Sequence, residues 1–304
     1  MLVELVEIFA NNIFPILLLA AIGFAVGRHF GIEPDPVSTL IFYVFTPALV
    51  FYKLYTSDIG GGEFVSLYLL TILFHFIMIL VTYLALRLQN AGSPIERANV
   101  IIAAFCLNAG NYGLSLVSFA FGDAVLSRAV VVYIANITSN YTLGVYIASN
   151  GRKSATGAFA SVFKTPALYA LIAAFLLRGF SLNLPIYLDR SIEMLSDATI
   201  PLMLMLLGLQ LGQFARMSKF NLLATGVSLK LLLAPLVGIG LAALFGLEGI
   251  TRTAFILQTG MPTAVITIII ATEFDLDRDL ALNLIMISTL LSPLTLSVLI
   301  MLLR

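Results

Sequence analysis

The chain has 304 residues, of which 60% are hydrophobic and only 11% charged, and its formal net charge is zero. Soluble domains average about 25% charged residues, so this composition excludes a soluble globular protein and indicates an integral membrane protein embedded in the lipid bilayer. The neutral balance gives no indication of a nucleic-acid partner. A single cysteine, Cys106, excludes an intramolecular disulfide and a cysteine-based metal site.

Apolar segments of membrane-spanning length follow one another along the whole chain. Crossing the hydrocarbon core takes roughly 20 apolar residues. Short polar or charged connections separate the segments, and no soluble domain is inserted between them. The sequence therefore predicts ten transmembrane helices, here called spans 1 to 10, at residues 5–28, 36–56, 64–88, 97–121, 126–149, 158–179, 190–212, 221–245, 251–272 and 279–302.

The distribution of basic residues predicts the orientation of these spans. More lysines and arginines fall on the side that holds Arg28, Arg87 and Lys219 than on the opposite side. The positive-inside rule then places both termini outside. We expect a multi-pass protein of the cell membrane, inner or plasma, with its N-terminus and C-terminus out.

Span 4 contains a polar interruption at residues 108–113, with the sequence Asn-Ala-Gly-Asn-Tyr-Gly. Glycine in a helix interior costs roughly 1 kcal/mol relative to alanine. In lipid, an unwound backbone is tolerated only where it is buried in protein or lines a cavity. Broken helices of this kind mark substrate sites in secondary transporters, so we predict one here.

Span 9 carries a second interruption at residues 258–263, with the sequence Gln-Thr-Gly-Met-Pro-Thr. Pro262 removes a backbone donor and clashes with the preceding turn. The helix ends that meet at such breaks present free N–H groups and a positive partial charge, which favour an anionic group such as a carboxylate. The alternative is that these polar residues only satisfy one another and kink the two helices.

The two interruptions belong to a wider internal repeat. Several features recur at offsets close to half the chain length, and each half contains five spans, so the second half enters the membrane with the opposite orientation. This predicts an all-α fold of two inverted five-helix repeats, residues 1–152 and 153–304, in which spans 4 and 9 cross. The matching features are Pro15 with Pro166, Pro47 with Pro201, Asn108-x-Gly110 with Gln258-x-Gly260, and Ser139-x-x-Thr142 with Ser292-x-x-Thr295.

Three of these segments resemble the auxin efflux carrier family. Residues 108–114 are similar to the Asn-x-Gly-Asn-x-Gly-Leu-Pro signature of span 4 in that family, with Ser115 in place of the final proline. Residues 261–264, with the acidic stretch that follows at 275–279, resemble its ninth helix, and residues 46–51 resemble its second helix. The resemblance covers nearly the whole chain, and the short connection between spans 5 and 6 is typical of a compact prokaryotic member.

The resemblance implies a division of labour between the spans. Spans 1, 2, 6 and 7 would form a scaffold domain, and spans 3–5 and 8–10 a transport domain, as in the related bile-acid/sodium symporters. It also implies a homodimer, and substrates that are organic acids, namely auxin in plants and malate or malonate in bacteria.

Ionisable residues at membrane depth are functional candidates by default. Lys230 could attract an anionic substrate, pair with a carboxylate or titrate, or it could extend along a protein groove to the interface. His75, at the corresponding place in the first half, could act as a proton switch or could be a hydrogen-bonded structural residue. Asn136 and Asn140 share one face of span 5 and could line the pathway, coordinate sodium or join helices.

Two sets of residues follow from these patterns. The predicted substrate-binding residues are Asn108, Gly110, Asn111, Tyr112, Gly113, Gln258, Thr259, Gly260, Pro262 and Thr263. The predicted supporting or coupling residues are Asn136, Ser139, Asn140, Ser288, Ser292, His75, Lys230, Pro47 and Pro201.

The sequence favours a secondary carrier of small organic anions that works by alternating access. An ion or solute channel and a membrane receptor are the alternatives that use the same fold. No cluster has the spacing of a catalytic triad or a metal site, which argues against an enzyme, a bound metal or a cofactor. No nucleotide-binding motif is present, so transport would draw on a gradient, with sodium coupling, proton coupling and uniport all open.

Overall fold

A computed structural model describes residues 2–149, 165–211 and 217–304. Regular structure in these residues is helical, with π-helical turns inside several helices. The helices are α1 (Val3–Phe30), α2 (Pro34–Tyr55), α3 (Gly61–Leu88), α4 (Pro94–Phe105), α5 (Ala109–Ala148), α6 (Pro166–Gly179), α7 (Ile186–Leu211), α8 (Phe220–Leu244), α9 (Gly249–Thr259), α10 (Ile266–Glu273) and α11 (Arg278–Leu303).

Seven of these helices are long and apolar enough to cross a membrane, namely α1, α2, α3, α5, α7, α8 and α11. Large apolar side chains such as Leu69, Leu80 and Leu236 are exposed on their outer faces, as expected for contact with lipid. The protein is thus an all-α polytopic membrane protein.

Six of the seven helices of spanning length, α1, α2, α3, α7, α8 and α11, match predicted spans 1, 2, 3, 7, 8 and 10, with ends that differ by a few residues. The seventh, α5, covers span 5 and most of span 4. Span 4 is divided between α4 and the beginning of α5, and span 9 between α9 and α10, at the two predicted interruptions. Within α5, Gly122 has non-helical dihedral angles, with a φ of 75° and a ψ of −170°, so two helical segments meet at a kink at the predicted connection between spans 4 and 5. The repeat boundary at 152/153 and the beginning of span 6 lie outside the described residues.

Local signals explain where the short helix α4 begins. Ser93 and Glu96 form a capping box, in which each side chain accepts a hydrogen bond from the backbone N–H of the other residue. Pro94 occupies the first helical position, where its missing N–H costs nothing. The beginning of α4 is therefore fixed by its own sequence.

Helices α1 and α7 approach each other closely through small residues. A Cβ atom added at Gly23 or at Gly208 would clash with backbone atoms of the opposite helix, at Met205 and Ala20 respectively. Helix α2 packs against α6 and α7, so these four helices form one group. Glycine at such contacts lets helix backbones approach, which is how membrane helices gain packing energy without a hydrophobic driving force.

Helix α5 is the centre of a second group. It packs against α3 and α9, while α4 packs against α3, α8 and α11. The aromatic side chains of Phe74, Phe105 and Phe255 are fully buried among these helices. The two interruptions, between α4 and α5 and between α9 and α10, therefore lie inside this second group.

Two clusters of charged and polar residues, one at each end of α3, join helices of this second group. In the Glu63 cluster, Glu63 accepts hydrogen bonds from Arg128 at 2.9 Å and from Thr251 at 2.5 Å, and Arg128 also pairs with Asp58.

The Lys219 cluster lies at the opposite end. There Lys219 pairs with Asp277 and, at 2.6 Å, with Glu96. Hydrogen bonds from Lys219 to these two carboxylates raise the pKa of the lysine. The Glu63 cluster joins α3, α5 and α9, and the Lys219 cluster joins α8, α4 and α11.

We predict that Gly208→Leu destabilises the protein by about 1–3 kcal/mol, because the new side chain must push α1 and α7 apart. Gly240→Leu is the matched control, since a Cβ at Gly240 meets no atom within 4 Å. Thermal unfolding in detergent can be followed through reaction of the single buried Cys106 with a thiol-reactive dye. Equal melting temperatures for the two variants would contradict the packing argument.

Candidate functional site

The two interruptions pair with each other through their backbones. Leu107 and Thr263 face each other in an isolated antiparallel bridge. On either side of it, the Asn108 N–H donates to the Pro262 carbonyl at 2.8 Å, and the Ala264 N–H donates to the Cys106 carbonyl at 3.1 Å. Each broken helix thereby supplies the hydrogen-bond partners that the other lost, as unwound backbone at membrane depth requires. We call this contact the crossing.

Side chains from α5 and α11 complete the crossing. The Asn136 amide bonds both backbone groups of Leu107, accepting from its N–H at 3.1 Å and donating to its carbonyl at 2.9 Å. The Ser288 hydroxyl accepts from the Thr263 N–H at 3.1 Å. Asn136 and Ser288 stand at corresponding places in the two halves, and each holds the central residue of one interruption.

The Gln258 side chain connects the two interruptions by a hydrogen bond. Its Nε2 donates to the Ala109 carbonyl at 3.2 Å, and its amide lies directly against Gly113, where an added Cβ would clash. A Cβ at Gly110 would similarly lie 2.8 Å from the Tyr133 ring. The two glycines of the first interruption are thus required by close contacts with neighbouring side chains.

A cavity of about 360 Å³ opens on the other side of the crossing. Its walls come from the first half of α2, the second half of α7, the middle of α5, the first interruption and the beginning of α10. Among the described residues that line it, none is charged. Its polar wall consists of Ser38, Thr39, Tyr43, Thr46, Asn108, Asn111, Tyr133, Asn136, Asn140, Tyr141 and Gln210.

Three amide atoms of this wall are buried and have no hydrogen-bond partner in the protein: Asn108 Nδ2, Asn140 Oδ1 and Gln210 Oε1. A buried polar atom without a partner costs about 1–3 kcal/mol. The three atoms belong to residues that line the cavity, where a polar partner would relieve this cost.

The structure divides the predicted substrate-binding residues into two groups. Asn108, Gly110 and Asn111 line the cavity. The others lie at the crossing or behind it and are not among the lining residues: Tyr112, Gly113, Gln258, Thr259, Gly260, Pro262 and Thr263. A direct role in binding stays a prediction for the first group, while the second group is placed to hold the crossing.

The predicted supporting residues are likewise spread over different places. Asn136 and Asn140 line the cavity, while Pro47 and Pro201 lie in α2 and α7 without lining it. The Ser292 hydroxyl bonds the Thr289 carbonyl within its own helix. Among the described residues, no group of three or more His, Cys, Asp or Glu side chains could hold a metal ion.

The two buried ionisable residues have defined partners. His75 Nδ1 lies 2.8 Å from the Ser139 hydroxyl. The Lys230 ammonium donates to the carbonyls of Ala104 and Cys106. Lys230 is fully buried, so the alternative in which its side chain extends to the membrane interface is wrong.

Sequence reasoning missed several cavity residues. Tyr133 and Tyr141 extend the face that Asn136 and Asn140 define, since these positions follow one another at intervals of three, four and one along one side of α5. That helical pattern was sufficient to find both tyrosines. Gln210, near the end of α7, had no comparable signal, because only the fold brings it to the cavity.

Comparison with known proteins agrees with this architecture. Residues 152–300 match the family described as membrane transport protein. This match covers just under half of the chain. An uncharacterized transporter of Methanocaldococcus jannaschii is 23% identical to it over 295 residues, and one of Methanothermobacter thermautotrophicus is 29% identical over 295 residues. Both alignments cover 93% of this chain and 94% of the relative.

These similarities confirm the family that the sequence motifs indicated. The protein is a membrane transporter and not an enzyme. Neither relative's description states a substrate.

Asn136 and Asn140 of α5 should respond differently to substitution. We predict that Asn136→Leu destabilises the protein by at least about 1 kcal/mol, because both backbone groups of Leu107 lose their partner. Asn140→Leu, the matched control on the same helix face, should keep wild-type stability because its side-chain oxygen bonds no protein group. Thermal unfolding of both variants checks this, and a larger loss for Asn140→Leu would show that the assignment is reversed.

Proposed function

We propose that the protein is a secondary carrier of small organic anions, such as malate, malonate or auxin-like carboxylic acids, that works by alternating access around the crossing. The observation that carries the proposal is the position of the cavity. One wall belongs to the α1–α2–α6–α7 group, and the other contains the first interruption and the beginning of α10. A movement between the two groups would therefore open and close the cavity.

The cavity suits an anion whose charge is bound by neutral groups. The beginnings of α5 and α10 both reach its wall, at Gly110 and at Val265 and Ile266. Helix N-termini carry a positive partial charge and free N–H groups. The Asn108 and Asn111 amides add donors, and no carboxylate among the described lining residues would repel the ligand.

The remaining lining residues favour a ligand that also has an apolar part. Ile41, Phe42, Met203, Leu206 and Ile269 form a continuous part of the wall with no polar side-chain atom. The volume of about 360 Å³ is within the range of small-molecule pockets. Within the proposed class, the lining favours a monocarboxylate with an apolar body over a compact dicarboxylate.

We further infer ten spans in two inverted repeats, with α1, α2, α6 and α7 as the scaffold domain and the other helices as the transport domain. The end clusters support this arrangement. Glu63 in the first turn of α3 and Lys219 directly before α8 occupy similar places in the two halves, and each collects partners from two other helices. Clusters of this kind would let the transport domain move as one body.

The proposed orientation places both termini outside the cell membrane, and the cavity then opens to the inside, next to the exposed Thr39 and Tyr43. On the outer side, Lys53 of α2 pairs with Asp123 of α5 at 2.8 Å. This ion pair joins the two proposed domains where the pathway is closed. The proposed functional unit is a homodimer, as in the family that the motifs resemble.

The substrate can be tested with the purified protein and radiolabelled malate, malonate and indole-3-acetate. Binding is measured with and without sodium, at acidic and neutral pH, so that sodium and proton coupling are distinguished. We expect saturable binding of a carboxylate that Asn111→Ala abolishes. No saturable binding by folded protein in any condition would overturn the organic-anion proposal.

We predict that Asn111→Ala and Pro262→Ala each reduce transport at least tenfold while the protein stays folded. The first removes a donor from the cavity, and the second loosens the turn that shapes the crossing. Uptake into proteoliposomes measures the effect. Asn221→Ala, at the exposed beginning of α8, is the control and should transport normally. Normal transport by both test variants would remove the crossing from the mechanism.

We also predict that joining residues 53 and 123 stops transport. In the double variant Lys53→Cys/Asp123→Cys, a short bifunctional thiol reagent should hold the outer side closed, and cleavage of a reducible linker should restore uptake. The two single variants are the controls, and the native Cys106 is buried away from the reagent. Undiminished uptake by fully cross-linked protein would show that the two groups need not separate there.

A further inference from the structure

Lys230 is a charged side chain that is fully enclosed in the protein interior. It lies in a π-helical turn of α8, at Leu229–Leu233, and its exposed fraction is 0%. Its ammonium nitrogen lies 3.1 Å from the carbonyl oxygen of Ala104 and 2.9 Å from that of Cys106. The charge is therefore directed at the backbone and not at the cavity, whose described lining does not include Lys230.

These carbonyls belong to the broken end of α4. The last carbonyls of a helix have no partner within the helix and carry a negative partial charge. Here the Thr263 hydroxyl donates to the Ala103 carbonyl at 3.0 Å, and Lys230 supplies donors to Ala104 and Cys106. In transporters with broken helices, unwound carbonyls of this kind coordinate sodium or other coupling cations.

The corresponding end of α9 is built differently. Gly260 and Met261 donate their N–H groups to the carbonyls of Ile256 and Gln258, both at 3.2 Å, so the turn satisfies itself. His75, which corresponds to Lys230 in the first half, is directed at Ser139. Among the described residues, a lysine ammonium therefore binds the carbonyl groups at the end of α4, which is one of the two interrupted helix ends.

We propose that the Lys230 ammonium is a resident cation, covalently attached to the protein, in the place where a transporter of this design would otherwise bind an alkali cation. It neutralises the broken end of α4 in every state of the carrier, so this place takes no sodium or potassium ion from solution. Removal of the side chain opens a site for a small cation. The proposal concerns the crossing itself and does not depend on the identity of the substrate.

The test uses two variants of the purified full-length protein. Lys230→Met keeps most of the length of the side chain without its charge, and Lys230→Ala leaves a space that propylammonium, which has the atoms removed, would fill. Thermal unfolding is followed by circular dichroism in choline, sodium, potassium, propylammonium and tetramethylammonium chloride at equal ionic strength. Lys53→Ala is the matched control, since its ammonium pairs with a surface carboxylate.

We expect the wild-type melting temperature to be the same in choline, sodium and potassium. Both Lys230 variants should melt about 5 °C lower in choline. Propylammonium should restore most of this loss in Lys230→Ala, whereas tetramethylammonium, which has no N–H donor, should not. For Lys230→Met and Lys53→Ala, the melting temperature should be the same in propylammonium chloride as in tetramethylammonium chloride.

Three results would overturn the proposal. The first is wild-type stability in Lys230→Met, which would show that the charge is not needed. The second is equal action of propylammonium and tetramethylammonium on Lys230→Ala. The third is a saturable sodium-dependent rise in the wild-type melting temperature that Lys230→Ala abolishes. If Lys230→Ala is recovered only as aggregate, purification with propylammonium must yield folded protein.

Discussion

The structure depends on one constraint, which is that backbone groups freed inside a membrane must find partners within the protein. The interruptions between α4 and α5 and between α9 and α10 meet this constraint by pairing at Leu107 and Thr263. Neither interruption can be understood alone, because each is the hydrogen-bond partner of the other. Asn136, Ser288 and Lys230 then bond the backbone groups of Leu107, Thr263 and Ala104, which this pairing leaves without partners.

The cavity follows from the same geometry. Where the two broken segments meet, the beginnings of α5 and α10 form one side of the cavity. Helices α2 and α7 of the first group form the other side. Three buried polar atoms without a protein partner, at Asn108, Asn140 and Gln210, belong to residues of this wall. A polar solute that bonds with them would therefore lower the free energy of the protein there.

Much of this was predictable from sequence because membrane segments obey simple rules. Hydropathy located the helices, and the glycines with Pro262 located both interruptions, since these residue types are poor helix formers. At Gly122, where the sequence predicted the short connection between spans 4 and 5, a single glycine with positive φ forms a kink between two helical segments. Sequence could not show which interruption residues line the cavity, since Asn108 and Gln258 have equivalent patterns but only the packing of α2 and α7 exposes one of them.

The pairing of the interruptions also has a consequence for biosynthesis. Thr263 and Pro262 are made long after Leu107 and Asn108 have entered the membrane, so the first interruption must wait for its backbone partners. Asn136, from the same half of the chain, can already hold both backbone groups of Leu107 during this interval. The Asn108 N–H must await Pro262, so the last steps of membrane insertion are also the steps that complete the transport site.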